Sequence, residues 1–115
     1  MAAATDIANQ ALERIGVKST DHAATAEDAA KAQQVLTNLH EVFVARDYVD
    51  FELASTPAWA VGPMVAELAW RLKTDFELPG DKVAKLQIEQ QEARSELLAM
   101  TATRYNGEPV KADYF

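Results

Sequence analysis

At 115 residues, with 49% apolar and 25% charged side chains and a formal charge of -7, the chain is sized for one compact domain with a single modest core. The lack of cysteine excludes disulfides, thiolate catalysis and thiolate metal sites, and the acidic balance argues against a phosphate-binding surface, because nucleic-acid binders usually present a basic face. "MAAATD" has neither the basic region nor the apolar run of a signal peptide, and "PAWAVGPMVAELAW" is too short and interrupted to span a bilayer, so a soluble protein of a reducing cytoplasm, with no membrane contact, is expected.

The first helix is expected over "TDIANQALERIG", with Thr5 as N-cap, Asp6 in the first turn, Ile7, Ala8, Ala11, Leu12 and Ile15 at helical spacing, and Gly16 as the stop. After the connector "VKSTDHAA", Thr25 and Asp28 have the spacing of a capping-box relative. The second helix then carries Ala32, Val35, Leu36, Leu39, Val42 and Phe43 on one stripe and runs to about Asp47. The helical period fades between Tyr48 and Thr56, and a third helix is placed from Pro63, with Met64, Val65, Leu68, Ala69, Leu72 and Phe76 on the apolar side. Glu67, Arg71 and Asp75 offer i,i+4 charge pairs on its other side. "LPGD" breaks the period and leaves Asp81 to cap a fourth helix over about residues 82–102, whose seam is Val83, Leu86, Ala93, Leu97 and Met100. Gln90 interrupts that seam, as a half-exposed position in preference to a register-setting residue of an oligomer. Four helices and no internal strand predict an all-α, small four-helix bundle over residues 1–103, followed by an extended C-terminal docking arm over 104–115.

His22 and His40 are the neutral-pH acid–base groups, one in a connector and one on the second helix beside Glu41. Neither belongs to a zincin pattern or to a Glu-x-x-His carboxylate di-metal pattern, and the glycines form no phosphate loop. The chain is therefore read as a non-enzyme with no catalytic residue, metal or cofactor. Trp70 reads as an inter-helix packing residue. Trp59 covers the bundle end or reaches a neighbouring chain, and burial within its own chain is the preferred reading.

The stretch "RYNGEPVKADYF" leaves the helical period at Gly107 and Pro109. Val110, Ala112 and Tyr114 then alternate with Lys111 and Asp113, the two-residue period of an extended strand. A lone strand beside helices needs backbone partners from elsewhere, and strand addition to another chain supplies them. Disordered tails are poor in aromatics, whereas this one keeps Tyr105, Tyr114 and Phe115, so docking is preferred to disorder.

Taken in order, "ALERIGV", "DAAKAQQVLTNLHEVF", "AELAWRLKTDFELP" and a long charged fourth helix running into "RYNG" resemble the small helical head-to-tail adaptor, or head-completion, proteins of tailed bacteriophages, including packaged-DNA stabilisation and tail accessory factors. The resemblance spans roughly residues 5–107. It implies a structural virion protein at the head–tail junction, in a ring commonly of twelve copies under the portal protein. Such a ring extends the DNA channel and docks the next tail protein. It also implies that the arm attaches to the portal or a neighbouring subunit, through Arg104, Tyr105, Val110, Ala112, Tyr114 and Phe115; Trp59, from its own position, is a further partner-binding candidate.

Residues 1–56 hold four Lys/Arg against nine Asp/Glu, and residues 57–101 hold five against seven. In a ring, Glu27, Asp28 and Glu41 facing the channel would keep passing DNA from sticking; for an isolated chain, solubility is the simpler use. The alternative reading is a small acidic helical regulator, an antitoxin-like module that binds another protein through an amphipathic face and the tail.

Overall fold

A computed structural model describes residues 4–17 and 24–106, with backbone alone for 103–106. It contains α1 (Ala4–Arg14), α2 (Ala26–Ala45), α3 (Ala58–Leu72) and α4 (Gly80–Asn106), with one turn of 3-10 helix at Leu53–Ser55. No strand forms among the described residues, and the all-α architecture is as the sequence predicts.

The first helix starts earlier than expected. Ala4 is already helical, so Thr5 lies inside α1 and does not cap it; alanine is the best helix former. The far end is as expected. Gly16 has φ +85°, its N–H reaches Glu13 O at 3.1 Å and the Val17 N–H reaches Leu12 O at 2.9 Å, the paired bonds of a Schellman motif.

At α2 the Thr25 hydroxyl accepts the Asp28 N–H at 3.1 Å, which makes Thr25 the N-cap. The helix closes at Ala45 with a second Schellman motif: Asp47 N–H to Val44 O at 3.1 Å and Tyr48 N–H to Phe43 O at 2.8 Å. The accompanying apolar contact is aromatic, with the Phe43 and Tyr48 rings 5.5 Å apart and edge-on. Asp47 is at φ 60°, where glycine is unstrained. Asp47→Gly should therefore raise stability by about 0.5–1 kcal/mol, read as a higher urea midpoint at unchanged m-value.

Helix α3 begins at Ala58, ahead of the expected start at Pro63. Pro57 takes the cap position at φ -66° and its carbonyl accepts the Ala60 N–H at 2.9 Å. Pro63 is then inside the helix, and the Trp59 carbonyl has no i+4 N–H to accept from. Burial of Ala60 and edge-on packing of the Trp59 ring on Phe51, 6.0 Å between centroids, hold this extra turn in place. Seven consecutive residues, Pro63–Ala69, are buried. A helix buried all round is one surrounded by the others, and α3 does pack on each of α1, α2 and α4.

Helix α4 starts at Gly80, where Pro79 O accepts the Val83 N–H at 3.0 Å; Asp81 is a first-turn residue and not the cap. The helix runs on to Asn106, so Arg104 and Tyr105 have helical backbone and do not open an extended arm. Nothing breaks the helix before Gly107 and Pro109. The arm's Val110, Ala112, Tyr114 and Phe115, like His22, lie outside the described residues.

The core joins Ile7, Leu12, Leu36, Leu39, Phe43, Met64, Leu68, Leu72, Leu86 and Leu97, all essentially without exposure. On the α4 seam Thr101 is buried where Met100 was expected, and Met100 faces solvent. The Thr101 hydroxyl donates to Tyr48 O at 2.8 Å, tying α4 to the closing turn of α2. Lys31 on α2 pairs with Asp75 after α3 at 3.5 Å.

Candidate functional site

Glu67, expected on the solvent side of α3, is the most buried charged residue among those described, at 0% exposure. It has no water side because α3 is enclosed. Its carboxylate accepts Arg94 Nε at 2.6 Å, Arg94 Nη2 at 3.2 Å and Gln90 Nε2 at 3.2 Å. Gln90 and Arg94 are four apart on α4, so one helical turn presents both to the same carboxylate. The guanidinium also lies 5.0 Å from the Phe43 ring and 5.0 Å from the Tyr48 ring, each contact a cation–π attraction. The hydrogen bond that Arg94 donates to Glu67 raises the Arg94 pKa above its ordinary value, outweighing a desolvation that would lower it. This cluster fastens α2, α3 and α4 together. It also answers the question posed by Gln90, whose polar group is used within its own chain.

An open cleft of about 490 Å³ lies beside this junction, between the end of α1, the first turns of α3 and the middle of α4. Trp59, Pro63 and Ala66 form its apolar side, and Gly62 adds no side chain to it; a Cβ there would meet nothing within 4 Å. Glu89, Glu92 and Glu96 line the α4 side, on successive turns. Arg14 Nη1 stands 3.7 Å from Glu89 Oε1, too long for a hydrogen bond, and that buried oxygen has no other hydrogen-bond partner among the described residues. An apolar wall with an aromatic ring facing a row of carboxylates suits an amphipathic, basic segment of another chain.

Of the residues singled out in the sequence, Trp59 is the one that lines this cleft. It sits half-buried on its own helix, packed on Phe51. Glu27, Asp28 and Glu41 all belong to α2, with Glu27 and Glu41 exposed and Asp28 half-buried; none lines the cleft. His40 is half-buried, its Nε2 2.7 Å from Phe51 O, so its ring pins the segment after α2. Trp70 is half-buried with Lys73 Nζ 3.8 Å from its ring centre. The sequence reading missed Arg14 and the Glu89–Glu96 row. The signal was available for the second: Glu89, Glu92 and Glu96 recur at steps of three and four, the spacing of one helical face.

No protein-family model, curated protein or solved structure matches this chain. Among the described residues no helix is long and apolar enough to cross a membrane.

Proposed function

We propose that the protein is a structural component of a tailed-phage particle, a head-to-tail adaptor that assembles as a ring beneath the portal protein and receives the next tail protein. The observation that supports this reading most is that the resembling stretches fall in order on the four successive helices. "ALERIGV" falls at the end of α1, "DAAKAQQVLTNLHEVF" within α2, "AELAWRLKTDFELP" from α3 through the following turn, and the charged run into "RYNG" on α4. A ring needs two different surfaces on each copy that fit one another. The cleft walled by Trp59, Glu89 and Glu92 offers one surface to another chain, and residues 107–115, with Glu108 and Asp113 against Lys111, are proposed as another, directed to the portal and not to this acidic cleft. In the ring, exposed Glu27 and Glu41 on α2 would line the channel and repel passing DNA.

The cleft also favours a second reading, a module that captures a basic segment of an unrelated protein. Sedimentation separates the two. Mixed with portal protein, an adaptor shifts from a small species to a large ring-sized complex at stoichiometries above one adaptor per portal assembly. A one-to-one complex with some other protein, and no association with portal at tens of micromolar, would establish the module instead.

A further inference from the structure

The side of α4 facing directly away from the core is free of charge. Ala84, Ile88, Gln91, Ser95, Leu98 and Ala102 follow one another at alternating steps of four and three, and all six are exposed. Ile88 is 60% and Leu98 40% exposed. They lie opposite Leu86, Ala93 and Leu97, which face α3. The back of a surface helix is ordinarily its charged side, and this chain is 25% charged. Alternating steps of four and three are the spacing by which two helices pack knobs into holes.

Read in either direction, the six residues give the same order of kinds: small, branched apolar, polar, polar, branched apolar, small. A seam with that symmetry matches itself when one copy is turned end for end. In a two-fold contact residue i meets j while j meets i. Ala84 then faces the second copy's Ala102, Ile88 faces its Leu98, and Gln91 faces its Ser95, so the two large side chains meet each other and the alanines at both ends let the backbones approach. No charge is brought into the seam from either copy. We propose that a second copy of this chain packs antiparallel on the back of α4 in this register.

The area agrees with a modest affinity. A strip about 27 Å long on a helix about 10 Å across covers about 270 Å² on each copy, about 540 Å² over both, below the size of stable specific interfaces and in the range of weak, transient ones. At the middle of the seam Glu92 from each copy comes to the same rim and the two repel, which weakens the pair further. The contact closes on two copies and so differs from the head-to-tail contacts of a ring; it stands whether or not the adaptor reading does.

The chain has no cysteine, which makes the register testable in the full-length protein. Ala84→Cys and Ala102→Cys proteins, oxidised as a mixture, should cross-link to each other, while either alone should not, since like positions lie about 27 Å apart in the antiparallel pair. In sedimentation equilibrium Leu98→Lys should weaken self-association at least tenfold and Glu92→Gln should strengthen it severalfold, with helical content unchanged in both because the two side chains are exposed. A monomer at every concentration to about 1 mM would overturn the proposal, as would preferential cross-linking of Ala84→Cys to itself, or a pair indifferent to Leu98→Lys.

Discussion

Replacing Arg94 by methionine should lower stability by about 3–5 kcal/mol, because it leaves the Glu67 carboxylate inside the protein without its countercharge. The carboxylate is at 0% exposure with two of its three hydrogen bonds from Arg94, and Gln90 alone, at 3.2 Å, cannot replace an ionic partner. The loss is a large share of what a domain of this size has to give, ordinarily 5–15 kcal/mol in total. Urea unfolding followed by circular dichroism measures it directly. The converse change tests the cause: Glu67→Met combined with Arg94→Met removes both charges and should recover most of the deficit, since apolar side chains of similar volume often replace a buried pair at little cost. A loss below about 1 kcal/mol in Arg94→Met would mean that the cluster contributes little to joining α3 and α4.

Deleting residues 107–115 should abolish attachment to the portal while changing the unfolding free energy by less than about 0.5 kcal/mol. Among the described residues the apolar core ends at Leu97, and the last side-chain hydrogen bond from α4 to another segment is that of Thr101 to Tyr48 O. Truncation should be judged by such backbone and core contacts, not by position in the chain. Attachment, by contrast, is proposed to use one arm from each of many copies, and arms that act together gain by effective concentration. Losing all of them therefore removes far more than one weak contact. Sedimentation of portal with full-length and shortened protein reads the first effect, and thermal unfolding the second. A shortened protein that still binds would move the attachment site to the helical body, and one that unfolds would place the segment against its own helices.

Much of the helical body was legible because its signals are local. Gly16 stops α1, Thr25 caps α2, and the stripe Ala32, Leu36, Leu39, Phe43 is buried as its spacing requires. The errors cluster where a distant partner outweighs a local rule. Pro63 reads as a helix start, yet packing of Trp59 on Phe51 carries the helix back to Ala58 across the missing hydrogen bond. Met100 and Thr101 are adjacent, and local spacing preferred the apolar one; the Tyr48 carbonyl, 53 positions away, selects the threonine. Helix α4 outruns its expected end at about 102 and takes in Arg104 and Tyr105, the expected start of the arm, because no residue before Gly107 breaks a helix.

The candidate site was less legible than the fold. Trp59 was noticed for its size, but a cleft is made by three elements meeting, and no stretch of sequence contains Arg14, Trp59 and Glu92 together. Glu67 shows the same limit in sharper form. Spacing alone made it a surface partner of Arg71, and only the enclosure of α3 by α1, α2 and α4 turned it inward toward Gln90 and Arg94.

From the order of residues alone came the number of helices, most of their buried stripes and the turn that ends the first, because capping, glycine stops and the 3.6-residue period act over a few neighbouring residues. Which helix is enclosed, where its one carboxylate goes, and what faces Trp59 were decided by tertiary packing. Those outcomes depend on how whole helices share a fixed interior, where a charge must find its partner on another element or remain in water.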